Sequence, residues 1–239
     1  MHVEWVTSTE STNADLVRRA SERPLAPLEA LATTDQTAGR GRQGRSWTAP
    51  EGTALAISLF VPHVSSWLPL LTGLAMTRAV QRLVPAPATV SLKWPNDVLI
   101  AERKVSGILG EVVPGGAVMG AGLNLSMSEA QLPVPTATSL ALEGAAGVTA
   151  ETAAQGYLAE FEALWQVFSA SGYNAAHGLR DAVSSACGTL GRRVRVELPD
   201  DAVLVGVAAS LDADGRLVVE RDGQKITVAA GDVTHVRTT

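Results

Sequence analysis

The spacing of apolar residues along this chain changes several times, and each change marks an element. From Thr53 to Val61 the run Ala-Leu-Ala-Ile-Ser-Leu-Phe-Val reads as a strand covered on both faces. Leu31 to Thr34 predicts a shorter strand. Thr12-Asn13-Ala14-Asp15 resembles a helix-opening capping box, with a helix running to about Ala20. Ser65 or Ser66 would cap a second helix that ends near Val84, ahead of Pro85 and Pro87. Four strands follow, over Val90–Trp94, Asp97–Ile100, Lys104–Val113 and Ala117–Leu125. The last three have short connections, which predicts antiparallel hairpins. Leu158, Phe161, Leu164, Trp165 and Phe168 then recur at three-to-four spacing, the mark of one buried helix face over about 150–169.

After about Gly188 the pattern shortens. Val194–Leu198, Leu204–Ser210, Leu217–Glu220 and Ile226–Val228 read as short strands, with Asp214-Gly215 and Asp222-Gly223 as tight turns. The expected organisation is therefore α+β: residues 1–187 as a mixed or antiparallel sheet with flanking helices, and 188–239 as a small all-β barrel.

Composition narrows the chemistry. At 239 residues and 46% hydrophobic, the chain can bury a sizeable core. A net charge of −5 argues against general nucleic-acid binding. The lone cysteine, Cys187, excludes an internal disulfide and fits a reducing compartment. His2, His63, His177 and His235 show no paired metal-ligand spacing. No apolar run reaches the roughly 20 residues of a membrane span, and no signal-peptide pattern opens the chain, so a cytoplasmic protein is expected.

The most informative segment is Gln36-Thr37-Ala38-Gly39-Arg40-Gly41-Arg42-Gln43-Gly44-Arg45-Ser46-Trp47, where three glycines alternate with three arginines before an indole. Glycine lets backbone approach a ligand closely. Arginine forks onto carboxylate or phosphate oxygens, and Trp47 can stack on a flat ring. On an acidic body this reads as a wrap for a small anion. A dinucleotide fingerprint is disfavoured, because no G-x-x-G register and no parallel βαβ unit is predicted. Four further segments carry usable groups: Ser11-Thr12-Asn13, Lys93-Trp94-Pro95-Asn96-Asp97, Lys104-Val105-Ser106-Gly107 and Gly120-Ala121-Gly122-Leu123-Asn124. Taken singly they read as a helix cap, a proline-fixed turn, a solvated lysine and close strand packing.

In this order, the five segments resemble the biotin protein ligase family over essentially the full chain. The resemblance implies a class II synthetase-like catalytic domain followed by an SH3-like barrel. It implies an enzyme that joins biotin to ATP, as its Mg²⁺ complex, to make biotinyl-5′-AMP, and then transfers biotin to a lysine of a biotin carboxyl carrier domain of an acyl-CoA carboxylase. Lys104 is then the expected catalytic residue, between the biotin carboxylate and the α-phosphate, with Arg40 beside it. Ser11, Thr12, Asn13 and Gln36 are expected around the biotin ureido group. Gly39, Gly41, Gly107, Gly120 and Gly122 would let the chain come close to biotin, with Arg40 and Arg42 folding over the intermediate. Arg45, Trp47, Lys93, Asn96 and Asn124 are expected toward ATP and its Mg²⁺, and Asp97 on the side of the acceptor lysine. Metal ligands are left unassigned, and monomer and homodimer are both left open. Only ten residues precede Ser11, too few for the DNA-binding winged helix of many members, so a ligase without repressor activity is expected. The rivals are a lipoate ligase of the same fold and a non-catalytic biotin sensor.

Overall fold

The computed structural model describes residues 2–176, 178–198 and 202–236, leaving His177 outside. In chain order the elements are β1 (Val3–Trp5), α1 (Thr12–Glu22), β2 (Ala30–Thr33), β3 (Gly39–Arg40), β4 (Ser46–Trp47), β5 (Ala54–Val61), α2 (Leu68–Leu83), β6 (Val90–Lys93), β7 (Asp97–Ile100), β8 (Arg103–Val113), β9 (Gly116–Asn124), α3 (Ala150–Ala170), α4 (Leu179–Ala186), β10 (Arg193–Glu197), β11 (Val203–Leu211), β12 (Leu217–Arg221), β13 (Gln224–Val228) and β14 (Asp232–His235). Seven strands form one sheet in the order β1-β2-β5-β9-β8-β7-β6, and five form another in the order β13-β12-β11-β10-β14. Every pairing is antiparallel except β1 with β2. The α+β expectation holds.

Strand alternation divides the large sheet into two faces. Leu55, Ile57, Leu59 and Val61 of β5 join the main core with α2 and α3. Phe60, with Leu31, Val113 and Val118, packs under Leu16 and Ala20 of α1. Fully burying one such side chain contributes about 1.5–3 kcal/mol, so α1 is held by a cluster of its own.

The structure differs from the sequence expectation in several places. The second helix starts at Leu68, not at a serine cap: its N-cap residue is Trp67, without a side-chain bond. The Ser66 hydroxyl instead donates to the Asp214 carbonyl of the C-terminal unit. A parallel β1-α1-β2 unit does exist, but the glycine-arginine loop follows β2 and not β1. The dinucleotide reading still fails, on that position. Neither β1, α4, β14 nor the β3–β4 hairpin was predicted.

A turn of the C-terminal sheet, residues 213–215, is one of its anchors on the larger unit. The Trp67 indole N–H donates to the Ala213 carbonyl at 2.7 Å, and the Trp94 indole N–H to the Gly215 carbonyl at 3.0 Å. Both indoles are nearly fully buried. Buried N–H groups need such partners. Among the described residues no helix is long and apolar enough to cross a membrane.

Candidate active site

Beyond the N-terminus of α1, the side chains on its face of the sheet become small. Ser58, Gly120 and Leu109 stand opposite one another across β5, β9 and β8, and Ala56, Gly122 and Gly107 form the next rung. These two rungs floor a cavity of about 150 Å³. Ser11, Thr12 and Asn13 line one end, and Arg40, Arg42, Arg45 and Trp47 line it from the loop. Gln36, Gly41, Asn96, Asp97, Lys104 and Asp232 complete the wall.

At the helix end, a chain of hydrogen bonds joins three elements. The Thr12 hydroxyl lies 2.7 Å from the Ser58 hydroxyl, and Ser58 donates to Asn13 Oδ1 at 2.6 Å. Asn13 Nδ2 donates to Glu111 Oε2 at 2.9 Å and reaches the Leu109 carbonyl at 3.3 Å. The Thr12 backbone N–H donates to Gln36 Oε1 at 3.0 Å, which ties the start of the loop to the start of α1. Ser11 is the N-cap of α1, so the positive end of the helix dipole faces this wall.

At the other end cations gather, each beside an internal acceptor. Lys104 Nζ lies 2.6 Å from Asp97 Oδ1. Arg42 donates to Asn96 Oδ1 at 2.9 Å, Arg40 to Glu111 at 2.8 Å, and Arg45 pairs with Asp232 of the C-terminal sheet. Lys104 owes its aim to a register shift between β7 and β8: Val98 pairs with Ser106 but Leu99 with Lys104. Such a bulge turns a side chain toward a neighbouring site, and a Cβ at Gly107 would lie 3.0 Å from Lys104 Nζ.

The glycines have specific occupants. A Cβ at Gly122 would lie 2.6 Å from the Trp47 ring, so the indole lies against this strand. A Cβ at Gly120 would lie 2.8 Å from Asn13 Cγ. These two glycines make room for protein side chains and also line the cavity in which biotin was expected. Gly39 does not line the cavity; a Cβ there would meet Gln36 and the Trp47 carbonyl, so it lets the β3–β4 hairpin close.

Two more expected residues lie outside the cavity. Asn124 is buried and donates to the Thr138 carbonyl, bracing the loop after β9. Lys93, on the edge strand β6, lies near enough to His235 to disfavour its protonation. Ser58, Glu111 and Asp232 were missed. Ser58 had a signal, being the single polar residue in the apolar run of β5, and Glu111 is likewise the one carboxylate in β8. Asp232 had none. Burial pushes the Cys187 thiol up from its usual range and away from nucleophilic use. Among the described residues no three His, Cys, Asp or Glu side chains group to hold a metal ion.

Residues 5–128 match the biotin/lipoate A/B protein ligase family, and residues 189–236 match the biotin protein ligase C-terminal domain. The chain belongs to this family. It is 39% identical to the biotin–[acetyl-CoA-carboxylase] ligase of Mycobacterium tuberculosis, over 98% of this chain and 89% of that one. The bifunctional ligase/repressor BirA of Escherichia coli is 30% identical over 90% of this chain and 68% of its own length. Among solved structures, the biotin protein ligase from Aquifex aeolicus in complex with biotin and ATP superposes with a TM-score of 0.81 at 25% identity, covering 99% of both chains.

Proposed function

We propose that this protein is a biotin protein ligase that adenylates biotin with MgATP and passes biotin to the lysine of a biotin carboxyl carrier domain. One observation supports it above the others: a single cavity holds a polar seat and, directly beside it, the lysine and three arginines that an acyl-phosphate transfer needs. In this reading residues 1–187 form the catalytic unit and 188–239 the C-terminal one.

The fused polar ring of biotin would take the end built by Thr12, Asn13, Gln36 and Ser58, where donors and acceptors are already oriented. A flexible apolar lipoyl chain would leave them unpaired, at about 1–3 kcal/mol for each buried group. The carboxylate would then lie toward Lys104. Its oxygen attacks the α-phosphorus of ATP, the bond from that phosphorus to the bridging oxygen breaks, and diphosphate leaves. Negative charge builds up on the phosphoryl oxygens, so fixed cations supply the catalysis and no nucleophilic side chain is required. Lys104 and Arg40 would lie closest to that charge, with Arg42 beside them. Arg45 would exchange Asp232 for phosphate oxygens. Trp47, which lies against β9, would pack on adenine. Mg²⁺ would accompany the triphosphate and screen its charge, as is usual for this ion. In the second step the acceptor lysine amine attacks the acyl carbonyl, the acyl–phosphate oxygen bond breaks, and AMP departs; Asp97 would take the amine proton.

The test incubates the protein with MgATP, an acceptor domain, and either biotin or lipoate. Biotin-dependent labelling of the acceptor lysine is expected. Labelling by lipoate alone would transfer the assignment to lipoate, and binding of biotin without label would leave only a sensor.

A further inference from the structure

Glu111 touches both halves of the cavity, and nothing in the reaction outlined above uses it. We infer that it is a positioning residue: it sets the hydrogen-bond polarity of the biotin seat and couples that seat to the arginine loop. The inference rests on the biotin reading of this site.

The argument begins with Asn13. An amide presents an acceptor at one end and a donor at the other, in nearly the same shape, so its neighbours decide its sense. The Ser58 hydroxyl can either donate or accept, and so can that of Thr12; neither fixes the direction of the chain. A carboxylate can only accept. Glu111 Oε2, at 2.9 Å, therefore requires Asn13 to present its Nδ2, in the same sense as the longer contact to the Leu109 carbonyl at 3.3 Å, which leaves Oδ1 to receive the Ser58 proton at 2.6 Å. Thr12 must then donate to Ser58 in turn. One anion on β8, at the end of the chain, orients three polar side chains, Asn13 and Thr12 of α1 and Ser58 of β5. Asn13 Oδ1 keeps a second lone pair, and the sense of the whole chain is what a ligand meets.

The same oxygen accepts from Arg40 Nη2 at 2.8 Å. Guanidinium has only donors, so this contact carries no ambiguity of its own. Asn13 and Arg40 are brought to one atom from positions 98 and 71 residues away in the chain. Glu111 is only partly exposed, with 26% of its side chain accessible. It lies on the face of β8 that also presents Gly107 and Leu109 to the cavity floor. A ligand that fixes Asn13 fixes Glu111, and through it the first arginine of the loop.

The experiment compares the unaltered protein with Glu111→Gln and Glu111→Ala. Biotin affinity is measured by calorimetry, and trypsin cleavage within the 36–47 loop is followed with and without saturating biotin. Glu111→Gln keeps shape and packing but can turn either end of its amide toward Asn13. We expect a Kd for biotin raised at least tenfold in both variants, a Tm within a few degrees of the unaltered protein for Glu111→Gln, and loss of the biotin-dependent protection of the loop. Restoring protection but not affinity in Glu111→Asp would support the two roles as separable consequences of one contact. A biotin Kd within twofold of the unaltered protein in Glu111→Gln, or protection that persists at saturating biotin, would overturn the inference. Absence of biotin binding by the unaltered protein would instead reject the biotin reading and the inference with it.

Discussion

The two glycines of β9 offer a way to disturb one half of the cavity at a time. A Cβ at Gly122 would stand 2.6 Å from both Cε2 and Cζ2 of Trp47, where no real Cβ contact is tolerated, so the indole must tilt or lift. A Cβ at Gly120, two residues along the same face, would stand 2.8 Å from Asn13 Cγ and disturb the seat instead. Overpacking of this kind costs about 1–3 kcal/mol. At 1.36 kcal/mol per tenfold, that corresponds to roughly a 5- to 150-fold loss in the affinity of whichever ligand uses the displaced side chain. Alanine is favoured over glycine by roughly 0.5–1 kcal/mol in a strand, which offsets part of the strain, so Tm should move little. Biotin-dependent exchange of labelled diphosphate into ATP reads both KM values in one assay. Gly122→Ala should raise the KM for ATP with little change for biotin, and Gly120→Ala should do the reverse. Two variants with the same profile, or Gly122→Ala with an ATP KM within twofold of the unaltered protein, would refute the placement of Trp47 and Asn13 at opposite ends.

Further expectations concern the cations and the contact between the sheets. Lys104→Ala should lower adenylate formation at least 100-fold, the scale of losing one fixed charge at a developing anion, while circular dichroism stays unchanged; a rate within threefold would remove Lys104 from the catalytic role. Trypsin should cut the 36–47 loop several times more slowly with biotin and MgATP present than without, and equal rates would count against closure of the loop over ligand. His235 is held below its ordinary value of 6.5, first by burial and then by the nearby charges of Arg192 and Lys93, with Glu102 pulling the other way. Its folded pKa is the lower one, so its contribution is complete above about pH 6.5 and is lost as pH falls through the folded value. Glu102 also lies below its usual 4.5 because His235 and Arg192 donate to it, which outweighs burial, and its contribution is lost on further acidification below that range. Thermal denaturation from pH 8 to pH 5 should therefore show a Tm that falls more steeply in the unaltered protein than in His235→Asn; parallel curves would refute this.

Much of the fold was readable because its elements are apolar and long. The runs in β5, β8 and β9 and the face of α3 carry their period in the residues themselves. The edge strand β1 was not readable, since three residues offer no period, and β14 is barely longer. Of the two serines before α2, Ser65 accepts the Trp67 N–H at 3.2 Å just ahead of the helix, whereas the Ser66 hydroxyl bonds across to the C-terminal unit, a long-range contact invisible to local pattern. At the site, segments 11–13, 40–47 and 96–107 were recognisable as chemistry, and the fold brings them around one floor. Lys93 and Asn124 lie outside the cavity: Lys93 stands on the edge strand β6, and the Asn124 amide is spent on the Thr138 carbonyl, neither of which a segment match reveals. Asp232 shows the opposite difficulty, as an ordinary acidic residue in an ordinary short strand whose meaning comes only from the partner it meets.

The pair of indoles gripping the 213–215 turn has a practical consequence for anyone recombining these modules. Trp94 is adjacent, through Pro95, to the Asn96 and Asp97 that wall the cavity. A foreign carboxy-terminal module grafted onto residues 1–187 would have to offer two main-chain oxygens at the same spots, or the graft would unsettle the enzyme's interior as well as its periphery. Chimaeras should thus be cut so that this turn travels with its own tryptophans.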